Sequence, residues 1–415
     1  MSAARPAEPL AGVLRSVVAR FGTPAYVYDL RELRSRVGRL REVLPAGVEV
    51  LYSVKANPSL GVCEVLAGCG VGAEVSSIGE LVLAERAGFA DQVMVSGPHK
   101  SAELIERLRP GVLVSVDSVD ELLMLAQECP ARLVLRLRPD FTPFGQMIMG
   151  PDGRFGIPVE ELGNLPRAVR ERVVGFHVYA GSQVLDGGQA AKNLAGAFEL
   201  GLRAAGMLGI DIEVLDVGGG FGVPAGMERP ELDLRPVRDE LARQRAELPM
   251  ARLVIELGRY LVASAGYYLT AVRGRQTRDG RAAVVVDGGV HQRPDLCGLD
   301  LCRAGAPFVL DSRSGPVVRT DVLGCLCLPG DVLAEAAALP PLGAGDVLVF
   351  ANAGAYGLSA GPTAFLGHPA PPEIAVDGES IVALRDRADP DAGLRDQQSV
   401  WSADGSPARR PDRPR

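Results

Sequence analysis

At 415 residues, 47% hydrophobic and 23% charged, the chain has a globular composition and more length than one compact domain uses, so two domains are expected. A formal net charge of -7 argues against a nucleic-acid partner, and no apolar run reaches membrane-spanning length. There is no basic-then-apolar leader, and the seven cysteines lack the spacing of a small disulfide scaffold, so a cytoplasmic protein with reduced thiols is expected. Cys325 and Cys327 stand two apart, which is no zinc-ribbon pattern, and no metal site is expected.

In chain order, apolar positions at helical spacing predict a helix over 10–20, ended by Gly22-Thr23-Pro24, and Ala25-Tyr26-Val27-Tyr28 reads as a short strand. Eight short apolar stretches then alternate with amphipathic helical sequence: 48–55, 71–76, 92–96, 113–117, 132–138, 172–179, 212–217 and 252–256. Eight strand-helix units are what a (β/α)8 TIM-like barrel needs, with its site on the loops at the strands' C-terminal ends. A doubly wound open sheet is the rival, and it accounts less well for site residues at the ends of so many strands. The barrel is expected over 23–262. Beyond it, strands at 267–272, 282–287, 317–323, 346–351 and 373–376 need no long helices between them. Residues 263–386, with the N-terminal helix of 1–22, therefore read as a mostly antiparallel β domain. The tail 387–415, rich in Pro, Asp, Arg and Ser and holding the lone Trp401, reads as disordered.

Only three of the 44 basic residues are lysines, and one of them, Lys55, sits inside the strand-like run Leu51-Tyr52-Ser53-Val54-Lys55-Ala56-Asn57-Pro58. Arginine stays charged, whereas a desolvated lysine can lose its proton and attack a carbonyl carbon, so Lys55 reads as a Schiff-base former. The plain alternative is a snorkelling side chain at a strand end. Asp216-Val217-Gly218-Gly219-Gly220 ends the seventh strand, where glycine N–H groups can converge on an anion, though a tight turn also needs glycine. Glu256, with Arg259 three residues later, brings a carboxylate to the end of the eighth strand that could hold a protonated heterocyclic nitrogen; a surface ion pair is the alternative. His177 ends the sixth strand and is a flat side chain or an ordinary core histidine.

An amine nucleophile, a phosphate cradle, a carboxylate for a ring nitrogen and a flat side chain are the parts pyridoxal 5'-phosphate requires. From Gly22 to about Asp377 the chain resembles the fold-type III pyridoxal-phosphate decarboxylases, the group of diaminopimelate and ornithine decarboxylases. The resemblance implies that Lys55 holds the cofactor as a Schiff base and that His177 stacks on the ring. It gives the phosphate to Gly218, Gly219, Gly220 and Tyr356, and the pyridine nitrogen to Glu256. Glu74, Glu80 and Arg136 match polar residues around the lysine and cofactor. Cys327 and Asp331 match the Cys-x-x-x-Asp element contributed by a partner subunit, which implies a head-to-tail homodimer with shared sites. The implied reaction is loss of the substrate's α-carboxylate, with Cys327 or Lys55 returning the proton. Alanine racemases share the barrel-plus-β plan, but the sequence around His177 and Cys327 is similar to decarboxylases.

One departure bears on the substrate. Diaminopimelate enzymes usually carry Cys-Glu-Ser-Gly-Asp, whose glutamate meets the distal amine. Here the run is Cys327-Leu328-Pro329-Gly330-Asp331, and a buried ammonium left without that partner would cost ~1–3 kcal/mol. The Cys-x-Pro-x-Asp form, Gly145 to Gly150 before Arg154-Phe155-Gly156-Ile157, the run Gly175 to Asp186, and Ala355 to His368 with its Phe365-Leu366-Gly367-His368-Pro369 ending are similar to a separate branch. That branch is found beside acyl carrier proteins, with the butirosin-type glutamyl-carrier-protein decarboxylase as its best-defined activity. A glutamyl- or aspartyl-type amino acid on an acyl carrier protein is the expected substrate, and Arg259, Arg293 and His368 are candidates to hold a carboxylate or phosphopantetheine. The alternatives are a decarboxylase of free diaminopimelate, ornithine or lysine, and a non-catalytic homologue that only binds the cofactor or a partner.

Overall fold

The computed structural model describes residues 8–89, 92–225, 230–293, 305–311, 313, 315–395, 397 and 399. Eight parallel strands close into a barrel: Val48–Ser53, Gly72–Val75, Val93–Val95, Leu113–Val116, Arg132–Arg136, Val173–His177, Val214–Gly219 and Arg252–Leu257. Each lies in or overlaps one of the eight stretches that the apolar pattern marks. They are legible because a barrel strand is covered on both faces and so is nearly continuously apolar. Leu51, Met94, Leu113, Val134, Val214 and Val254 fill the barrel's inside. The longest helix, Gly187–Leu208, covers its outside with Leu194, Phe198, Gly201 and Leu208. Asp186 caps its start by accepting from the Gln189 N–H at 2.8 Å, and Gly209 ends it at φ 65°.

The second unit is a nine-stranded, mostly antiparallel sheet. Its path runs Val332–Leu339, Val318–Leu323, Arg281–Val286, Gly266–Arg278, Ala25–Asp29, Glu373–Asp377 and Ser380–Arg385. Val347–Phe350 pairs with Gly266–Arg278, and Phe308–Val309 with Val347–Phe350. The helix Glu8–Phe21 lays Leu14 and Val17 against Val27, Leu269, Val349 and Ile374 of this sheet.

Three features depart from the sequence reading. Ala25–Asp29 falls inside the segment assigned to the barrel, 23–262, yet pairs with Gly266–Arg278 and Glu373–Asp377. The Tyr28 hydroxyl donates to Glu373 Oε1 at 2.7 Å and the Tyr26 hydroxyl to the Gln292 carbonyl at 2.5 Å, which fixes that strand to the β domain. Val332–Leu339 escaped notice because its alanines mask the period-two alternation of a half-buried strand. The stretch 387–415 begins with a tethered residue: Arg387 Nη2 donates to the Pro24 carbonyl at 3.0 Å and the Phe21 carbonyl at 3.3 Å. Trp401 lies outside the described residues. Among the described residues no helix is long and apolar enough to cross a membrane.

Two glycines test the packing in opposite directions. A Cβ on Gly175 would stand 1.7 Å from the Val214 carbonyl oxygen of the neighbouring barrel strand, so Gly175→Ala is expected to cost about 1–3 kcal/mol or more. Gly206 sits in the exposed face of Gly187–Leu208 with nothing near its Cβ position, and Gly206→Ala is expected to add ~0.5–1 kcal/mol. Urea unfolding midpoints of the two variants should move to opposite sides of the parent protein's.

Candidate active site at the barrel mouth

Lys55 lies one turn beyond the first barrel strand, in the 3-10 turn Val54–Ala56. Val54 and Ala56 are buried on either side of it, and the lysine points the other way, into the mouth with its side chain 48% exposed. Its Nζ donates to Glu74 Oε2 at 2.8 Å, at the end of the second strand. The parallel register sets this up, pairing Ser53 with Glu74. Glu74 is otherwise enclosed, with Oε1 accepting from the Ser96 and Ser76 hydroxyls. Burial works to lower the Lys55 pKa, but Glu74, Glu256 and Tyr356 outweigh it and hold the ammonium well above its ordinary range. Burial alone would raise Glu74, yet the Lys55 charge and the serine hydroxyls bring it down to about 2. The reading of an amine kept neutral by a dry, apolar mouth is therefore corrected: carboxylates face it and keep it protonated.

Opposite, three neighbouring strands present a level row, since the register pairs Arg136 with His177 and His177 with Asp216. The His177 Nδ1 meets the Ser115 hydroxyl at 2.8 Å, and its Nε2 lies 3.4 Å from Glu256 Oε2. His177, Asp216 and Glu256 are at most 5% exposed, and each keeps a buried polar atom with no hydrogen-bond partner: Nε2, Oδ2 and Oε1 respectively. One ligand atom from each lies within 4.8 Å of the others, the one trio among the described residues that could hold a metal ion, in a protein for which no metal is expected. Arg136 stands over the Phe155 ring at 4.8 Å and reaches Asp117 at 3.5 Å. Glu80 turns to the start of its own helix, Ile78–Ala87, accepting from the Ser76 N–H at 2.7 Å, so it serves that helix before any ligand.

Gly218 and Gly220 adopt φ 73° and 72°, and there is no room at the glycines for a side chain. A Cβ on Gly219 would lie 2.1 Å from the Glu256 carbonyl oxygen, and one on Gly220 1.7 Å from that of Gly181. Asp216 Oδ1 accepts from the Gly218 N–H at 2.8 Å, which orients this loop. Tyr356, also left-handed at φ 52°, donates its N–H to the Ala56 carbonyl at 2.6 Å, and Arg259 stands over its ring at 4.8 Å. Asn57 donates to the Gly354 carbonyl at 2.9 Å, so the lysine's turn is bonded twice to the β domain.

The remaining candidates gather elsewhere. Cys327 and Leu328 are exposed on a loop fixed to the β domain by the Cys325 N–H to the Gly288 carbonyl. Asp331 braces that loop, Oδ1 accepting from the Val290 N–H and Oδ2 from the Leu326 N–H, both at 2.7 Å. His368 is half-buried with its ring 5.3 Å from that of His291. Arg293 is buried over Tyr268 and Phe350, at 5.6 and 5.1 Å. Lys55, Glu74, His177, Glu256 and Tyr356 thus meet at the mouth, whereas Cys327, Asp331, His368 and Arg293 belong to the β domain.

Sequence reasoning gave no role to Asp216, Ser115 or Lys100. Lys100 Nζ donates to the Gly97 and Ser115 carbonyls at 2.8 and 2.5 Å and pairs with Glu121 at 3.0 Å, bracing the strand that carries Ser115. The signal was present in all three: a polar residue inside an apolar strand, or a lysine in an arginine-rich chain.

The orphaned buried atoms of His177 and Glu256, the Lys55 amine beside Glu74 and the side-chain-free glycine loop fit pyridoxal phosphate. A barrel with this mouth, joined to an antiparallel domain, defines a fold-type III pyridoxal-phosphate enzyme. Residues 30–263 match the family of pyridoxal-dependent decarboxylases through its pyridoxal binding domain, and the chain belongs to that family. It is 33% identical over 399 residues to the L-glutamyl-[BtrI acyl-carrier protein] decarboxylase of Niallia circulans, covering 90% of this chain and 93% of that protein. It is also 33% identical over 403 residues to the diaminopimelate decarboxylase of Deinococcus radiodurans, covering 94% and 98%. The solved diaminopimelate decarboxylase of Helicobacter pylori in complex with L-lysine superposes with a TM-score of 0.80 at 26% identity, over 92% of this chain and 98% of that one.

The charge balance at Lys55 has a measurable consequence. Removing the carboxylate lowers the amine's pKa, so in Glu74→Gln the visible absorption band that forms on adding pyridoxal phosphate should have its pH midpoint ~1–3 units below the parent protein's. Lys55→Ala should give no such band.

Proposed function

We propose that this decarboxylase acts on an amino acid tethered as a thioester to an acyl carrier protein, with a glutamyl- or aspartyl-type acyl group, within a biosynthetic pathway. The observation that carries the reading is the loop from Cys327 to Asp331. Its one acid, Asp331, is committed to the Val290 and Leu326 N–H groups, and Leu328 has no acceptor to offer a distal ammonium. The likeness to the carrier-protein decarboxylase of Niallia circulans supports the same reading. A decarboxylase of a free diaminopimelate-, ornithine- or lysine-type substrate is the alternative, supported by the equally identical Deinococcus enzyme.

Bound pyridoxal phosphate supplies an electron sink for the pair left when carbon dioxide departs. In this reading Lys55 would hold the cofactor through its Nζ, and Glu74 would keep that amine placed. Glu256 would hold the protonated ring nitrogen, and His177 would offer its ring to the cofactor's face. The Gly218–Gly220 backbone and Tyr356 take the phosphate, with Arg136 nearby. Arg259, over the Tyr356 ring, is the candidate beside the phosphate end for a carboxylate or phosphopantetheine, and the half-buried His368 is a further one; Arg293, enclosed by Tyr268 and Phe350, is not. Cys327 donates the proton that replaces carbon dioxide, from the facing subunit of a homodimer, and Asp331 acts through the loop it braces. The five described cysteines are free, in keeping with a cytoplasmic setting.

Incubation with glutamyl- and aspartyl-loaded carrier proteins, followed by intact-protein mass spectrometry, should show loss of carbon dioxide from the carrier; consumption of free amino acids with loaded carriers untouched would sink the proposal. Cys327→Ala should retain the visible band and lose ~10²–10⁴-fold in kcat. Mixing Lys55→Ala with Cys327→Ala subunits should restore part of the activity, because half of the sites in a mixed dimer would then be intact.

A further inference from the structure

We infer that Asp216 is a positioning residue held as a neutral carboxylic acid, and that its proton leaves Glu256 as the single anion facing the cofactor's ring nitrogen. The inference rests on the ring-nitrogen role proposed for Glu256. Asp216 is fully buried in the middle of the seventh strand, two residues before Gly218. Its Oδ1 accepts from the Gly218 N–H at 2.8 Å, while its Oδ2 has no hydrogen-bond partner. One of its oxygens lies within 4.8 Å of an oxygen of Glu256 and a ring nitrogen of His177.

Two carboxylates this close in a water-poor site cannot both ionise without a cation for each. The cations are unequally shared. Glu256 faces the Lys55 ammonium, while the His177 nitrogen of the trio lies near both carboxylates. Glu256 and Glu74 add negative charge near Asp216, and the cation among its largest influences, Arg136, is already turned to Asp117 and Phe155. The proton therefore resides on Asp216 Oδ2, the oxygen that no N–H reaches. Burial and the adjacent Glu256 charge push Asp216 well above the usual carboxylate range, in line with this placement. As a neutral acid, Asp216 keeps its Oδ1 for the Gly218 N–H, so the glycine loop stays oriented, and it adds no second negative charge behind Glu256. The same neutrality makes the His177, Asp216 and Glu256 trio a poor cation site.

Infrared difference spectra between holoenzyme grown with isotope-labelled and ordinary aspartate test this directly. At neutral pH the carbonyl stretching band of a protonated aspartic acid is expected, shifting with the label and missing from Asp216→Asn. In Glu256→Gln the neighbouring charge is gone, and the band should titrate away ~1 pH unit or more below its parent position. No such band in the parent protein, its survival in Asp216→Asn, or an unmoved titration in Glu256→Gln overturns the inference. Should Asp216→Asn fail to fold, the labelled parent protein and Glu256→Gln still decide it. The cofactor's visible band in Glu256→Gln reports separately on the ring nitrogen: if it is unchanged, the role of Glu256 fails while the protonation of Asp216 stands.

Discussion

Closure of the barrel is the constraint on which the site depends. The last strand, Arg252–Leu257, pairs in parallel with the first, Val48–Ser53, so Glu256 and the turn bearing Lys55 come to the same mouth from distant parts of the chain. Parallel pairing puts every strand's C-terminal end on one rim. Register then decides which residues stand level: Ser53 with Glu74, and Arg136 with His177 and Asp216. A slip of one residue in any of these pairs would turn the polar group away from its partners.

What the sequence reveals and what it hides follow from the same physics. The eight barrel strands were legible because burial on both faces leaves an apolar run. Lys55 stood out by scarcity, and the glycine triplet by its freedom from side chains. The protonation of Lys55 was not legible, because Glu74 comes from the next strand and only the register reveals that it faces the amine. Asp216 was visible in its motif but carried no role, since the sequence does not show that the partners of Glu256 lie on one side and none lie on the other. Arg293 had the residue type for anion binding, yet Tyr268 and Phe350 enclose it within the β domain.

The arrangement of charge at the mouth is graded. Glu74 holds Lys55 directly at 2.8 Å, Glu256 feels the same ammonium and has His177 Nε2 3.4 Å from its Oε2, and Asp216 has a single backbone N–H. A site that must hold an amine, orient a ring and tolerate a departing carboxylate uses few charges, each answered from one direction. Serine hydroxyls do the remaining work: Ser96 and Ser76 on Glu74, and Ser115 on His177. They adjust donors and acceptors without adding charge to the rim.

The bonds from Asn57 to Gly354 and from Tyr356 to Ala56 straddle Lys55 in sequence. Hinging the sheet away from the barrel would break both and unseat Lys55 with them. Any shift in how the sheet sits against the barrel would therefore be felt first at the lysine, because both ties end on the short turn that carries it.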